Sequence, residues 1–332
     1  MYPIFATKHF LHNSCSIFVL VNALRFSAEN STMSLPTISV VICTSDRGGT
    51  VAGAVASILA NDHPAFEVFV IDQSSDAGTA QTLQRFHHDR RFHYLPVRFK
   101  GWAKGHNLGL RIARSPLLAI TDDDCVVPPD WLRILETELR AEPRAAVLYC
   151  NVLPGPHDPS AGFIPSFQCT RRVVVNTLRE KWYVRGIGAG MAIHRERILA
   201  IGGFDESLGP GGTFKSAADV DIAIRAILAG WSVVGTPATS VIHYGFRTWK
   251  EGRCLTVCNW EGLGAAFIKP VKAGYFKAGI LLWYELQPVL FEPLLSLSHL
   301  QWPHGLGRFV AFMRGCLRGL LHHIDRKRLV YL

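Results

Sequence analysis

Apolar and polar positions fall in blocks along this chain. Residues 38–43 form an apolar, β-branched run broken only by Ser39, and the run ends in Thr44-Ser45-Asp46-Arg47. A run of this kind without alternation predicts a strand buried on both faces of a parallel sheet. A second strand over 67–72 ends in Asp72-Gln73-Ser74-Ser75-Asp76, and the apolar block 117–120 leads into a strand that closes on Asp122. Weaker runs at 92–97, where Pro96 limits pairing, and at 146–151 complete the set. Between them the apolar spacing turns helical. Val51, Val55, Ile58 and Leu59 share one face, a glycine-punctuated loop over 100–109 opens a helix that runs to Arg114, and a further helix covers 130–140. Strands alternating with helices predict an α/β fold. Because successive strands stop in acid and hydroxyl groups, they point to one polar crevice at their carboxyl ends, where open α/β sheets bind ligands.

The second half is more interrupted. Gly186-Ile187-Gly188-Ala189-Gly190-Met191 precedes a short strand, and its G-x-G-x-G spacing departs from the G-x-G-x-x-G of dinucleotide-binding turns, so a dehydrogenase has little support. Residues 208–215, L-G-P-G-G-T-F-K, predict a mobile loop. A helix follows from Ser216, with Val220, Ile224, Ile227 and Leu228 on one face and Gly230 at its end. From residue 251 the character changes. Residues 279–297 are apolar, yet Glu285, Pro288, Glu292 and Pro293 interrupt them and argue against a simple bilayer-spanning helix. In a last helix over 308–321, Phe309, Phe312, Met313, Cys316, Leu317 and Leu320 share a face. Arg314 and Arg318 lie opposite, Arg308 stands near the edge, and Arg326-Lys327-Arg328 adds charge. That face either packs on the core or lies on anionic lipid; the pattern allows both. At the other end, the apolar run at 17–21 is too short to span a bilayer and no small-residue cleavage site follows it. Met33, just before the first strand, reads as the natural start. Residues 1–33 are then a poorly ordered extension, 34–250 the main domain and 251–332 a helical C-terminal region.

Composition narrows the class. With 332 residues, 48% hydrophobic and only 18% charged, the chain has a large core and is not disordered. Lys and Arg outnumber Asp and Glu 35 to 26, a net charge of +9 that favours anionic partners such as nucleotides or phospholipids. No nucleic-acid-binding motif accompanies that charge, so no nucleic acid is expected as a partner. The 8 cysteines include no C-x-x-C pair, which fits a reducing, cytoplasmic compartment; Cys254 and Cys258 mark one helix face.

Asp122, Asp123 and Asp124 carry the candidate chemistry. Two carboxylates about 4 Å apart repel by roughly 4 kcal/mol at an effective dielectric of about 20, a cost that a divalent cation relieves. Hard oxygen ligands suit Mg²⁺ or Mn²⁺, with positions left for diphosphate oxygens. The other reading of such a triplet is a polar turn capping the helix that starts near Asp130. Upstream, Lys104 and the backbone amides of the 100–109 loop are placed to meet a phosphate or sugar, or simply form a helix entry.

Taken in order, T-S-D-R, V-I-D-Q-S-S-D, G-H-N-L-G and T-D-D-D-C-V-V-P-P-D-W-L resemble the signature of family 2 glycosyltransferases over residues 34–249. The resemblance implies a GT-A type, doubly wound and mostly parallel sheet flanked by helices, with a helical C-terminal extension. It implies a nucleotide-diphosphate sugar donor, with Asp72 at the base, Asp122 and Asp123 at ribose or sugar, and Asp124 as principal ligand of Mn²⁺ or Mg²⁺. His243 joins the metal or diphosphate, and Thr44, Asp46, Arg47, Lys104, Asn107 and Arg247 complete the donor side. Members commonly carry Glu-Asp where this chain has Ala218-Asp219. Asp219 is then the general base of an inverting transfer, with N-capping as its alternative, while Asp221 supports the loop or binds acceptor. The acceptor is a saccharide or is lipid-linked, as in cell-surface polysaccharide or glycolipid synthesis, and a lipid-linked one would draw the protein to the anionic inner face of the membrane. The missing acid at Ala218 also allows a catalytically silent nucleotide-sugar-binding protein.

Overall fold

A computed structural model gives the structure of residues 35–298 and 306–332. The expectations for residues 1–33, Met33 as a start among them, lie outside the described residues, as do the side chains of Pro288, Glu292 and Pro293. The unbroken apolar blocks form the middle of a sheet. Strands β1 (Ile38–Thr44) and β2 (Phe66–Asp72) pair in parallel from Ile38 and Phe66 to Thr44 and Asp72, and β4 (Leu117–Ile120) flanks β1 on its other side. They are buried almost throughout, so no alternation marks them. Strands β3 (Phe92–Pro96), β6 (Ala145–Pro154), β9 (Met191–His194) and β10 (Ser232–His243) extend the sheet in the order β3-β2-β1-β4-β9-β6-β10, with β5 (Cys125–Val126) at the edge. A short β7 (Gly162–Phe163) pairs outside this sheet with residues 247–248, and β8 (Val173–Val175) also pairs with β10. β9 runs antiparallel to both neighbours, and β5 and β8 run against β10; the sheet's remaining pairings are parallel.

Helices α1 (Gly48–Leu59), α2 (Gly78–Leu83) and α4 (Trp131–Arg140) cover one face and bury Val55, Ile58, Leu83 and Trp131. Helices α3 (Trp102–Ile112), α5 (Arg195–Ala200) and α6 (Ala218–Leu228) cover the other with Leu110, Ile198, Ile222 and Ala226. This is the α/β alternation the apolar pattern predicts, in the doubly wound form the resemblance implies. Boundaries move: β4 stops at Ile120, so the triplet lies in a turn, and β6 outruns the expected 146–151 because β10 pairs along it as far as Pro154.

The C-terminal region is welded to this core. α7 (Trp249–Lys272) opens on a capping box between Thr248 and Glu251, and the boundary expected after residue 250 falls in its first turn. It is followed by α8 (Gly279–Ser298) and α9 (Leu306–Leu321). Helices α7 and α9 meet backbone to backbone: a Cβ at Gly264 would strike the Phe312 carbonyl, and one at Gly315 the Glu261 carbonyl. The two readings of the last helix therefore divide one face between them. Phe312 and Cys316 are buried against α7, while Met313, Leu317 and Leu320 stay exposed in line with Leu306, Val310 and Leu321. Arg314 and Arg318 are ion-paired with Glu261 on α7. Among the described residues, no helix is long and apolar enough to cross a membrane.

Candidate active site

Register brings the acid triplet to its partners. β5 follows the triplet directly and pairs antiparallel with the end of β10, setting Cys125 opposite His243. Parallel pairing of β1 with β4 sets the loop after Thr44 beside the same turn. Thr44 Oγ1 donates to Asp123 at 2.6 Å, and the Arg47 guanidinium bridges Asp123 at 3.0 Å and Asp124 at 2.9 Å. The His243 ring contacts the Pro165 carbonyl through Nδ1 at 2.8 Å, so Nδ1 carries a proton and a neutral ring turns its Nε2 lone pair outward. That lone pair faces Asp124 Oδ1 at 3.2 Å, a buried oxygen to which no described donor completes a hydrogen bond. A proton on Nε2 or a cation between the two atoms resolves the conflict. Gly245 keeps the space: a Cβ there would lie 2.5 Å from His243 Nε2 and 2.8 Å from Asp124 Oδ2.

The electrostatics agree with an under-compensated cluster. Burial and the Asp124 charge push Asp122 up to about 6, and burial also raises Asp123 despite Thr44 and Arg47. For Asp124 burial is outweighed by His243, Arg47 and Arg247, and its carboxyl is held below the usual range. His243 moves upward: burial opposes its charge, but the Asp124 carboxylate and the Pro165 carbonyl prevail. Ligand atoms of Asp124, Cys125 and His243 lie within 4.8 Å of one another. Burial pushes the Cys125 thiol up, and its soft sulfur suits neither hard cation, which leaves a carboxylate–imidazole pair, a donor set that fits Mn²⁺ and accepts Mg²⁺. Cys125 is not among the expected ligands; its place directly after the triplet is the available signal.

The other donor-side residues divide. Asp72, at the end of β2, is buried and accepts from the Tyr94 hydroxyl at 2.6 Å and the Ser74 amide at 2.9 Å. Asp46 is exposed, with φ at 57°, and clamps the loops after β1 and β2 together by accepting from the Ser75 amide at 2.8 Å and Lys100 at 3.0 Å. The Ser75 amide, then Lys100, hold its carboxyl well below the usual range. Lys104 is exposed on the first turn of α3. Arg247 donates to the Phe246 carbonyl at 2.9 Å, and its charge reaches Asp124. Asn107 is buried; its amide exchanges hydrogen bonds with the Phe204 backbone and donates to Glu206 at 3.0 Å, which positions the turn at 203–206.

Asp219 is the second residue of α6, after Ala217 in the left-handed region at φ 70°, and no side chain caps the helix, so the N-capping alternative falls. Its carboxylate accepts from the Gly188 amide at 3.0 Å and the Val220 amide at 2.9 Å. Burial nonetheless raises its pKa, against those amides and the Lys181 charge. Trp102 links it to the triplet. A Cβ on Gly188 would lie 2.8 Å from the Trp102 ring, and the Trp102 side chain favours the charged form of Asp122. Trp102 is absent from the residues expected at the site, although a lone indole in a glycine-rich loop is a signal. The 208–215 segment, expected to be mobile, is held by buried Leu208 and Phe214 and by the Trp102 amide on the Pro210 carbonyl at 2.8 Å. It packs on α6 so closely that a Cβ at Gly209 would lie 3.1 Å from the methyl of buried Ala218. Asp221 is fully buried and ion-paired with Arg225 at 2.8 Å and Lys269 at 2.7 Å, contacts that tie α6 to α7.

Comparison with known proteins agrees with this geometry. Residues 39–182 match the family model described as "Glycosyl transferase family 2", a stretch that contains β1, β2, Trp102 and the triplet. Protein CgeD of Bacillus subtilis (strain 168) is 23% identical over 120 residues, which cover 34% of this chain and 28% of CgeD. Among solved structures, the mannosyltransferase PcManGT from Pyrobaculum calidifontis, in complex with GDP-Man and Mn²⁺, superposes with a TM-score of 0.54 at 15% identity, over 92% of this chain and 95% of PcManGT. S. aureus TarS 1-349 in complex with UDP-GlcNAc superposes with a TM-score of 0.51 at 16% identity, over 70% of this chain and 66% of that one. At these identities the likeness establishes the fold, which is GT-A.

Proposed function

The chain carries a glycosyltransferase family 2 domain on a GT-A fold, and from that premise we propose that it is an inverting, metal-dependent enzyme moving a sugar from a nucleotide-diphosphate sugar to an acceptor hydroxyl. The observation that carries the reading is the space between Asp124 and His243, kept open by Gly245 at the strand ends that also hold Asp72 and Asp122. Asp124 and His243 would hold Mn²⁺ or Mg²⁺, which supplies charge to neutralise a departing diphosphate. GDP-Man with Mn²⁺ in PcManGT and UDP-GlcNAc in TarS support the donor class. In this reading Asp72 receives the base, Asp122 and Asp123 the ribose or sugar, and Arg47, Lys104 and Arg247 the diphosphate side, with Thr44 and Asp46 shaping the loop.

Asp219 takes the proton of the acceptor hydroxyl, and its raised pKa moves it toward the basicity a general base needs. The acceptor oxygen attacks the anomeric carbon on the face opposite the diphosphate, whose bond breaks with its electron pair, so configuration inverts without a covalent enzyme intermediate. Asp219→Asn should lower transfer roughly 10²- to 10⁴-fold while donor affinity stays unchanged. Near-normal turnover would move the base elsewhere. The silent nucleotide-sugar-binding reading draws on Ala218; donor binding with neither transfer nor hydrolysis in the unmodified chain would favour it.

The exposed stripe of Leu306, Val310, Met313, Leu317 and Leu321, with Arg326 and Lys327 nearby in the chain, supports a peripheral seat on an anionic membrane surface and an acceptor drawn from cell-surface polysaccharide or glycolipid synthesis. The described cysteines are free, which supports a cytoplasmic setting. Full-length protein should sediment with anionic vesicles at low salt, and Leu317→Asp should weaken this; no sedimentation sinks the membrane reading.

A further inference from the structure

Beside Asp219 lies a cavity of about 180 Å³ between the 3₁₀ turn Glu180–Tyr183 and helices α6, α7 and α8. Its floor is Val220, Leu263, Phe267 and Leu281, and its walls are Trp182 and Tyr284, with ring centroids 5.9 Å apart. Val220 follows Asp219 in α6, and the Lys181 charge, also at the cavity, reaches the Asp219 carboxylate. The polar groups around this space are already matched to one another. Arg185 pairs with Glu285 at 2.8 Å and lies over the Trp182 ring at 3.6 Å, and the Lys181 ammonium donates to the Val184 carbonyl at 2.5 Å. The free lining is hydrocarbon, which offers little to a phosphate or a second sugar. Apolar cavities of about 150 Å³ stay dry and take up a benzene-sized guest. A longer guest has a path out. Phe291 stands two turns beyond Tyr284 on the same face of α8 and is 56% exposed.

We propose that this cavity is an acceptor subsite for an alkyl chain, so that the acceptor presents its hydroxyl to Asp219 with a hydrocarbon segment a few bonds away. The inference rests on Asp219 as the base for its place in the reaction, but its test reads binding alone. Full-length protein is titrated with n-alkyl β-glucosides from methyl to octyl, below their micelle concentrations, following tryptophan fluorescence. Burial worth about 0.8 kcal/mol per CH₂ predicts affinity rising about fourfold per methylene until the cavity is filled, then levelling. Leu263→Trp, which fills the space, and Trp182→Ala, which removes a half-exposed wall and spares the core, should each flatten that dependence. Affinity independent of chain length in the unmodified protein, or a dependence that both variants retain, overturns the proposal. Phenyl glucoside binding more tightly than hexyl glucoside overturns the alkyl assignment in favour of an aromatic group. Asp219→Asn should keep the full chain-length dependence, so failure of the base reading and failure of this subsite are separable.

Discussion

Two buried acid clusters in this protein have opposite character. In one, Asp205 and Asp221 are inaccessible and meet two permanent cations: Lys269 stands 2.5 Å from Asp205 and 2.7 Å from Asp221, and Arg225 stands 2.8 Å from Asp221. In the other, Asp122, Asp123 and Asp124 crowd one turn with a single guanidinium, Arg47, in hydrogen-bonding contact, helped by His243 and the more remote Arg247. The first cluster is closed: it ties α6, α7 and, through the Tyr331 amide on Asp205 at 2.9 Å, the C-terminus into one body. The second is short of positive charge at the mouth of a crevice. Matched charges hold a fold together, and unmatched ones mark where a ligand completes the balance.

The largest effect is expected at Lys269. Lys269→Met leaves Asp205 and Asp221 buried and facing each other, and removing one partner of such a pair costs roughly 3 to 5 kcal/mol, so a large drop in the denaturation midpoint is expected. A midpoint within experimental error of the parent would show that this cluster is not structural. Asp124→Ala should behave in the opposite way. Losing the contacts to Arg47 and His243, offset in part by relieved repulsion on Asp122, should lower stability without metal only slightly, whereas the stabilisation of about 2.7 kcal/mol that Mn²⁺ at 100 times its dissociation constant confers should vanish. Thermal melts with and without Mn²⁺ decide it; a variant that melts as low as Lys269→Met would make the triplet structural too.

The smallest effect concerns pH. Asp122 has a folded pKa of about 6, above the usual carboxylate value of 3.8. Its contribution is thus fully present below about pH 4 and is lost as pH rises through about 6. Stability of the unmodified chain relative to Asp122→Asn should fall across that window by on the order of 1 to 3 kcal/mol. Parallel pH profiles for the two proteins would remove Asp122 from the under-compensated set.

Much of the catalytic half is legible in the amino-acid sequence. Uninterrupted apolar blocks identify β1 and β2 because a strand covered on both faces has no polar side to show, and polar strand ends locate the crevice. Val220, Ile224 and Ile227 place helix α6 correctly, but its first turn escapes the pattern, since Ala217 begins it through backbone conformation rather than a capping side chain. Asn107 and Trp102 exchange significance. The Asn107 amide, expected at the donor, binds the 203–206 turn, and the Trp102 ring packs on Gly188, whose amide donates to Asp219. The last helix is not resolved by its pattern, because a face that is apolar throughout is buried at Phe312 and Cys316 and open at Leu317 and Leu320.

By itself the sequence determined the order of strands and helices, the polar ends of the strands and the identity of the acid triplet. These follow from neighbours along the chain, where periodicity of burial and turn chemistry act. Tertiary structure decided which carboxylate is satisfied. Asp221 and Asp124 look alike in sequence, yet Lys269 reaches only the first, and β10 delivers His243 only to the second. Electrostatic balance is set over a few ångströms by groups from distant segments inside a medium that screens poorly, and no local pattern in the chain encodes which groups those will be.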